Sequence, residues 1–143
     1  MKKTISARDL QIDLQDGSEA ALFKWLVASF LMGKRIQGAI AAKAYQIIVE
    51  QHERDTPQKL TQCSHRQLVV MLGQAHYVRY DETTATRLLA LASKLIKDYG
   101  GKVSNIVEAS ADRQAFETRL SEFEGIGPKT IEIFMREAGA VLY

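Results

Sequence analysis

Apolar residues recur at intervals of three and four positions along most of the chain, the spacing of one buried face of an α-helix. The helix predicted to be most central to the core has one face lined by Leu22, Trp25, Leu26, Ser29 and Phe30. A second run, over residues 86–99, stops at Gly100-Gly101, which is a strong C-terminal signal. No segment alternates convincingly between apolar and polar residues. The pattern therefore predicts an all-α fold, an orthogonal bundle of about six short helices.

Capping and helix-breaking residues indicate where these helices begin and end. Ser18 and Ser64 precede apolar runs and are predicted N-caps. Residues 33–38 contain two glycines and two cations and are predicted to break the first helix, which is followed by a small-residue helix over 39–51. Residues 52–58 are polar and include a proline. We interpret this last segment as a linker.

Composition indicates one ordinary globular domain. The chain has 143 residues, of which 46% are hydrophobic and 25% are charged. We assign residues 1–17 to an N-terminal arm and residues 18–143 to a helical domain. The net charge of +2 permits nucleic-acid binding without requiring it. The longest apolar stretch, residues 25–32, is too short to cross a bilayer, and no signal peptide is recognisable, so we expect a cytoplasmic protein with no membrane partner.

Metal and disulfide chemistry have little support in the sequence. Cys63 is the one cysteine, so the chain can form neither an internal disulfide nor a four-thiolate cluster. His65 and His76 have no third ligand at a suitable spacing, and we predict that both are surface or loop residues. We expect no metal and no cofactor.

Residues 120–136, with the sequence LSEFEGIGPKTIEIFMR, predict a helix, a tight turn and a second helix. Gly125 and Gly127 bracket Ile126, and Pro128 suits the first turn of a helix, where its missing N–H costs nothing. The free N–H groups at the start of the second helix can bind an anion such as a DNA phosphate. The alternative is a tight turn between helices that needs no ligand.

The same string resembles the helix-hairpin-helix signature of the DNA glycosylases, Leu-x-x-Leu-Pro-Gly-hydrophobic-Gly-x-x-Thr-Ala. The residues that match this signature are Leu120, Phe123, Gly125, Ile126, Gly127 and Thr130. Glu124 replaces the usual Pro, and Ile131 replaces the usual Ala, which indicates slightly different helix packing. The resemblance is to the endonuclease III-like superfamily. It implies a helix-hairpin-helix over residues 112–137 and double-stranded or damaged DNA as the partner.

Lys129 stands where the resemblance implies a catalytic amine. In the endonuclease III-like branch, a Lys at this place attacks C1′ of the damaged nucleotide and forms a Schiff base that leads to strand cleavage. The resemblance therefore implies the same role for Lys129. The alternative is that Lys129 contacts a phosphate or solvent, as lysines in the first turn of an exposed helix commonly do.

The resemblance extends to the break between the first two long helices. In the family, the corresponding segment inserts a side chain into the DNA stack where the damaged base was flipped out. Lys34 falls near that wedge residue, and Gln37 falls near an Asp of the family pattern. The resemblance thus implies that Lys34 and Arg35 contact the DNA backbone or fill the gap. The alternative is a solvated loop.

Tyr77, Arg79 and Tyr80 lie together in a predicted loop, where glycosylases of this superfamily often have a Tyr. An aromatic ring with an Arg beside it can stack on a base, but it can equally close the edge of a core. We favour the structural role.

Two features of the family are missing, although the resemblance covers about residues 22–136. The Asp that stabilises the cationic transition state would lie beyond Tyr143, and the iron-sulfur cysteines are absent. Glu132 and Glu137 do not occupy the place of that Asp. We therefore expect a DNA-binding protein of the base-excision-repair type, similar to a DNA glycosylase/AP lyase but reduced to weak lyase activity.

Two other functions fit the same residues. The first is a non-catalytic helix-hairpin-helix module that recognises backbone or abasic DNA. The second is a helical interaction domain in which the hairpin has only a structural role. The apolar residues 141–143 additionally suggest self-association into a homo-oligomer.

Overall fold

The computed structural model describes residues 4–15 and 17–143, and this part of the chain is all-helical. The predicted all-α fold is confirmed. Its α-helices are α1 (Glu19–Met32), α2 (Gly38–Tyr45), α3 (Pro57–Thr61), α4 (His65–Gln74), α5 (Asp81–Tyr99), α6 (Val103–Glu108), α7 (Arg113–Ser121) and α8 (Pro128–Leu142). A 3₁₀ turn spans Arg8–Leu10, and a π-helical segment, Gln46–Gln51, continues α2. Among the described residues, every helix is too short or too polar to span a bilayer.

The structure has more helices than the sequence pattern predicts because two of them are very short. The helix α3 has five residues and α6 has six, so neither repeats its apolar positions often enough to show a period. The predicted linker over residues 52–58 is also shorter than expected. Pro57 occupies the first position of α3, and the Thr56 side chain caps this helix by accepting a hydrogen bond from the Lys59 N–H.

The helix α1 lies at the centre of the bundle, as predicted. Ten of its fourteen residues are buried, and α2, α5, α6 and α8 all contact it. Ser18 caps its start by accepting from the Ala21 N–H at 3.2 Å. The fully buried Trp25 donates from Nε1 to the Phe134 carbonyl oxygen at 3.1 Å and so joins α1 to α8. Because α1 is covered on nearly all sides, its apolar stripe is wider than that of a surface helix.

The N-terminal segment buries four apolar side chains and forms two hydrogen bonds with α8. Its buried side chains are Ala7, Leu10, Ile12 and Leu14. The Arg136 guanidinium donates to the Ile5 carbonyl oxygen at 2.9 Å, and the Ala7 N–H donates to a Glu137 carboxylate oxygen at 2.9 Å. These two bonds hold residues 5–7 beside the middle of α8.

Gly73 offers a simple test of the local geometry of α4. A β-carbon at this position would meet no atom within 4 Å, and glycine is a poor helix former. We expect Gly73→Ala to raise the free energy of unfolding by about 0.5 kcal/mol in urea denaturation. The matched substitution Gly100→Ala should lower it, because Gly100 ends α5 with a left-handed φ of 63°. A loss of stability in Gly73→Ala would contradict this description of α4.

Candidate nucleic-acid interface

Residues 122–127 form the turn between α7 and α8 that the glycine pattern predicts. The Ile126 N–H donates to the Phe123 carbonyl oxygen at 3.0 Å, and both side chains are buried. Gly125 has a left-handed φ of 88°, a conformation that favours glycine. The turn is therefore anchored in the core by its two apolar residues while its glycines lie at the surface end of α8.

The first turn of α8 presents backbone donors that no side chain caps. Gly127 is the N-cap, and the first N–H to close a helical bond belongs to Ile131, which donates to the Gly127 carbonyl oxygen at 3.1 Å. Pro128 has no N–H, so the backbone donors that precede this bond are those of Lys129 and Thr130. The end of the helix also carries a partial positive charge. This arrangement can bind an oxyanion.

A groove of about 350 Å³ lies at this helix end. It is lined by Gly33, Lys34, Gly125, Ile126, Gly127, Pro128, Lys129 and Thr130. The predicted hairpin residues and the segment after α1 are therefore brought together, although about ninety positions separate Lys34 from Gly125 along the chain. Packing of α1 against α8 produces this proximity.

The side chain of Thr130 is not placed to reach DNA. It is buried, and a β-carbon on Gly33 would lie 2.1 Å from its Oγ1. The end of α1 thus contacts the start of α8 through a glycine and a threonine. At Thr130, the group suited to bind an anion is the backbone N–H.

Lys34 lies against the hairpin. Its Nζ donates to the Gly125 carbonyl oxygen at 3.0 Å and lies 4.9 Å from the centre of the Phe30 ring. Burial lowers the pKa of the Lys34 ammonium, and the positive charge of Arg87 lowers it further. The sequence resemblance implies that this cation contacts DNA. In the structure its contacts are with Gly125 and Phe30 of the same chain.

Arg35, Gln37 and Lys129 are exposed, and all three line a second groove of about 970 Å³ between the start of α2 and α8. Among the described residues, the charged side chains that line it are all cationic: Lys34, Arg35, Lys129 and Arg136. Gln37 is the N-cap of α2, but its side chain makes no capping bond. Lys34 and Lys129 line both grooves, so the two grooves form one continuous cationic region.

The two carboxylates of α8, those of Glu132 and Glu137, do not line these grooves. Glu137 accepts the hydrogen bond from Ala7 and lies 3.9 Å from the Arg136 guanidinium. Glu132 lies on a different surface of α8, beside Arg113 and Glu117 of α7. Within the described part of the chain, Lys129 therefore has no carboxylate beside it in either groove.

The turn between α4 and α5 has one buried and two exposed large hydrophobic side chains. Tyr77 is fully buried, its hydroxyl donates to the Leu31 carbonyl oxygen at 2.9 Å, and burial raises its pKa to about 12. This confirms the structural role predicted for Tyr77. Val78 and Tyr80, by contrast, are 62% and 48% exposed, with the Arg79 guanidinium 5.2 Å from the centre of the Tyr80 ring. Sequence reasoning missed the exposure of Val78 and Tyr80, because a short apolar run in a loop does not show which of its members faces the core.

The remaining candidate ligands do not converge on one place. His65 bonds to the Glu82 carbonyl oxygen at 3.0 Å, and His76 is exposed in a loop. Cys63 is buried, which raises the pKa of its thiol. The described residues contain no group of three or more His, Cys, Asp or Glu side chains that could hold a metal ion.

Comparisons of the chain with known protein families, with characterised proteins and with solved structures gave no match. The hairpin and the two cationic grooves are therefore the features that bear on function.

Proposed function

We propose that this protein binds DNA through the 122–127 turn and the first turn of α8, as helix-hairpin-helix proteins of the endonuclease III-like class do. One observation carries the proposal: the start of α8, which no side chain caps, lies in a groove lined by three glycines and two lysines. A phosphate oxygen of the DNA backbone is the anion that suits these donors.

Two properties of the turn support close approach by a DNA backbone. Gly127 has no side chain, and a β-carbon built on it would meet nothing within 4 Å, so the space in front of it is open. The N–H groups of Lys129 and Thr130 come immediately after it in the helix. A phosphate placed before Gly127 can therefore accept hydrogen bonds from the helix end while Lys129 contributes its charge.

The larger groove extends the cationic region beyond the hairpin. Arg35 and Lys129 are exposed on its lining, and Arg136 lies there with its guanidinium bonded to Ile5. Cations spaced along a groove fit a polyanion better than a single small anion. Binding by this surface would follow the backbone and would depend weakly on base sequence.

A second candidate function is lyase action on an abasic site, favoured by the exposure of Lys129 in both grooves. The amine would add to the C1′ aldehyde of the open-chain sugar and lose water to form a Schiff base. Cleaving the glycosidic bond of an intact nucleoside also requires stabilisation of developing positive charge. The groove linings in the described part of the chain include no carboxylate for that task, so the candidate is a lyase without glycosylase activity.

The first test measures binding of a fluorescent DNA duplex by anisotropy at several salt concentrations. We expect salt-dependent binding, and we expect Lys129→Ala to weaken it and to reduce the slope of log affinity against log salt by about one. Lys97→Ala removes an exposed lysine on α5, outside both grooves, and is the matched control. Weak affinity in the wild type that Lys129→Ala does not change would refute the proposal.

Borohydride trapping on an oligonucleotide with one abasic site separates the two candidate functions. A covalent adduct that is lost in Lys129→Ala would establish Lys129 as the nucleophile of a lyase. Absence of an adduct at DNA concentrations where the anisotropy shows binding would leave a DNA-binding module without lyase chemistry.

A further inference from the structure

We propose that Lys34 is a positioning residue, which holds the Gly125 turn against the end of α1 and acts on DNA only through the hairpin. The part of this inference that concerns DNA rests on the proposed function. The tether itself does not, because it can be measured in the free protein.

The contacts of Lys34 join two distant parts of the chain at one point. Its Nζ donates to the Gly125 carbonyl oxygen at 3.0 Å, across 91 positions of sequence. The Phe30 ring lies beneath the ammonium at 4.9 Å, and the same ring would lie 3.1 Å from a β-carbon on Gly125. Phe30 in the last turn of α1 and Lys34 just after this helix therefore both contact the hairpin glycine.

A second cation holds the other side of the turn, but more weakly. The Arg87 Nε lies 3.8 Å from a carboxylate oxygen of Glu124, whose side chain is 68% exposed, so this ion pair stabilises little. The bond from Lys34 is shorter, half-buried and assisted by its charge, which makes it the stronger of the two. The conformation of the turn therefore depends more on Lys34 than on Arg87.

The Lys34 ammonium has three N–H donors, and a phosphate that drew it outward would compete with this tether. Moving the ammonium outward would break its bond to Gly125 and its contact with Phe30, and would release the turn that carries the backbone donors. Arg35, the next residue, is exposed and lines the larger groove, so it is the cation of this pair suited to meet a phosphate. The two neighbouring cations thus have different roles.

The first experiment measures amide hydrogen exchange of the free protein by NMR. Lys34→Met keeps an unbranched side chain of similar length on Phe30 but removes the donor and the charge. We expect exchange of the Ile126 amide to become about tenfold faster or more, the effect of losing one hydrogen bond to a charged group. Amides in α4 should be unchanged, and Lys34→Arg, which retains a cationic donor, should restore slow exchange.

Arg35→Met is the matched control in this experiment, because it removes the adjacent exposed cation. It should leave exchange of the Ile126 amide at the wild-type rate. Wild-type exchange in Lys34→Met would overturn the proposal, as would equal acceleration throughout the protein, which would indicate a general loss of stability.

The second experiment compares the salt dependence of DNA binding in the same variants. Lys34→Met should raise Kd about tenfold at every salt concentration without changing the slope, since no phosphate contact is lost. Arg35→Met should reduce the slope by about one. A reduced slope in Lys34→Met, with normal hairpin exchange, would make Lys34 a phosphate contact and overturn the proposal. If the wild type binds no DNA, the proposed function fails, while faster hairpin exchange in Lys34→Met would still support the tether.

Discussion

Gly125→Ala should destabilise the protein by about 2–3 kcal/mol, the combined cost of a left-handed backbone and a crowded β-carbon. Gly125 has a φ of 88°, where an L side chain is strained. The added β-carbon would lie 2.8 Å from Arg87 Cδ and 3.1 Å from Phe30 Cε2. The arginine can move, but the buried phenylalanine has little room to do so. Urea denaturation measures the change in the free energy of unfolding.

Gly127→Ala is the matched control and separates folding from binding. Gly127 has an extended backbone, with a φ of −109°, and its β-carbon would meet nothing within 4 Å. We therefore expect its free energy of unfolding to stay within about 0.5 kcal/mol of the wild type. The methyl group would nevertheless occupy the open space beside the turn, through which the proposed phosphate approaches. Its Kd for DNA should rise about tenfold or more, because the backbone of the turn can no longer approach a phosphate closely.

Each glycine variant has an outcome that would contradict the expected role of its glycine. Wild-type stability in Gly125→Ala would mean that the turn can relax at no cost, contrary to the contacts with Phe30 and Arg87. Wild-type affinity in Gly127→Ala, with DNA binding present, would move the phosphate site away from the start of α8.

Gly33→Ala should destabilise the protein by a similar amount, about 2–4 kcal/mol, for a purely steric reason. Its β-carbon would lie 2.1 Å from Thr130 Oγ1 and 3.2 Å from Thr130 Cβ. Thr130 is buried and β-branched, so its side chain has few alternative rotamers. The clash would push the start of α8 away from α1 and disturb the anion site as well. DNA affinity should therefore fall together with stability.

A double-mutant cycle tests whether this clash is the cause. Thr130→Ala removes Oγ1, so the double variant Gly33→Ala, Thr130→Ala should recover about 1–2 kcal/mol relative to the sum of the single effects. Urea denaturation of all four proteins supplies the coupling free energy. Gly73→Ala, with an unobstructed β-carbon, controls for the general effect of replacing glycine in this protein. Additive effects of the two substitutions would show that the destabilisation arises elsewhere.

The features that sequence reasoning predicted best are local ones. The caps Ser18 and Ser64 were identified because each is a short polar side chain that can accept a hydrogen bond from the next turn, and both do so in the structure. The end of α5 at Gly100 follows from the left-handed conformation that glycine adopts easily. The five-residue α3 and the π-helical Gln46–Gln51 were missed because neither has a distinctive period.

The candidate site was predicted in its parts but not in its arrangement. The tight turn at Gly125 and the proline at the start of α8 are recognisable from the sequence. Glycine widens the range of allowed backbone angles, and proline restricts it. The inward direction of Thr130 and the bond from Lys34 to the hairpin are not recognisable in this way. Both depend on how α1 meets α8, which involves residues about ninety or more positions apart.

By itself, the sequence determined the all-α fold and the positions where most of the long helices begin or end. It also determined that a glycine turn precedes a helix starting with proline. Each of these properties depends on side chains within a few residues of one another. Only the tertiary structure decided which cation is used inside the chain and which faces the grooves. Lys34 and Arg35 are adjacent and carry the same charge. The packing of Phe30 beneath the hairpin places one ammonium against a carbonyl, while the neighbouring guanidinium remains exposed.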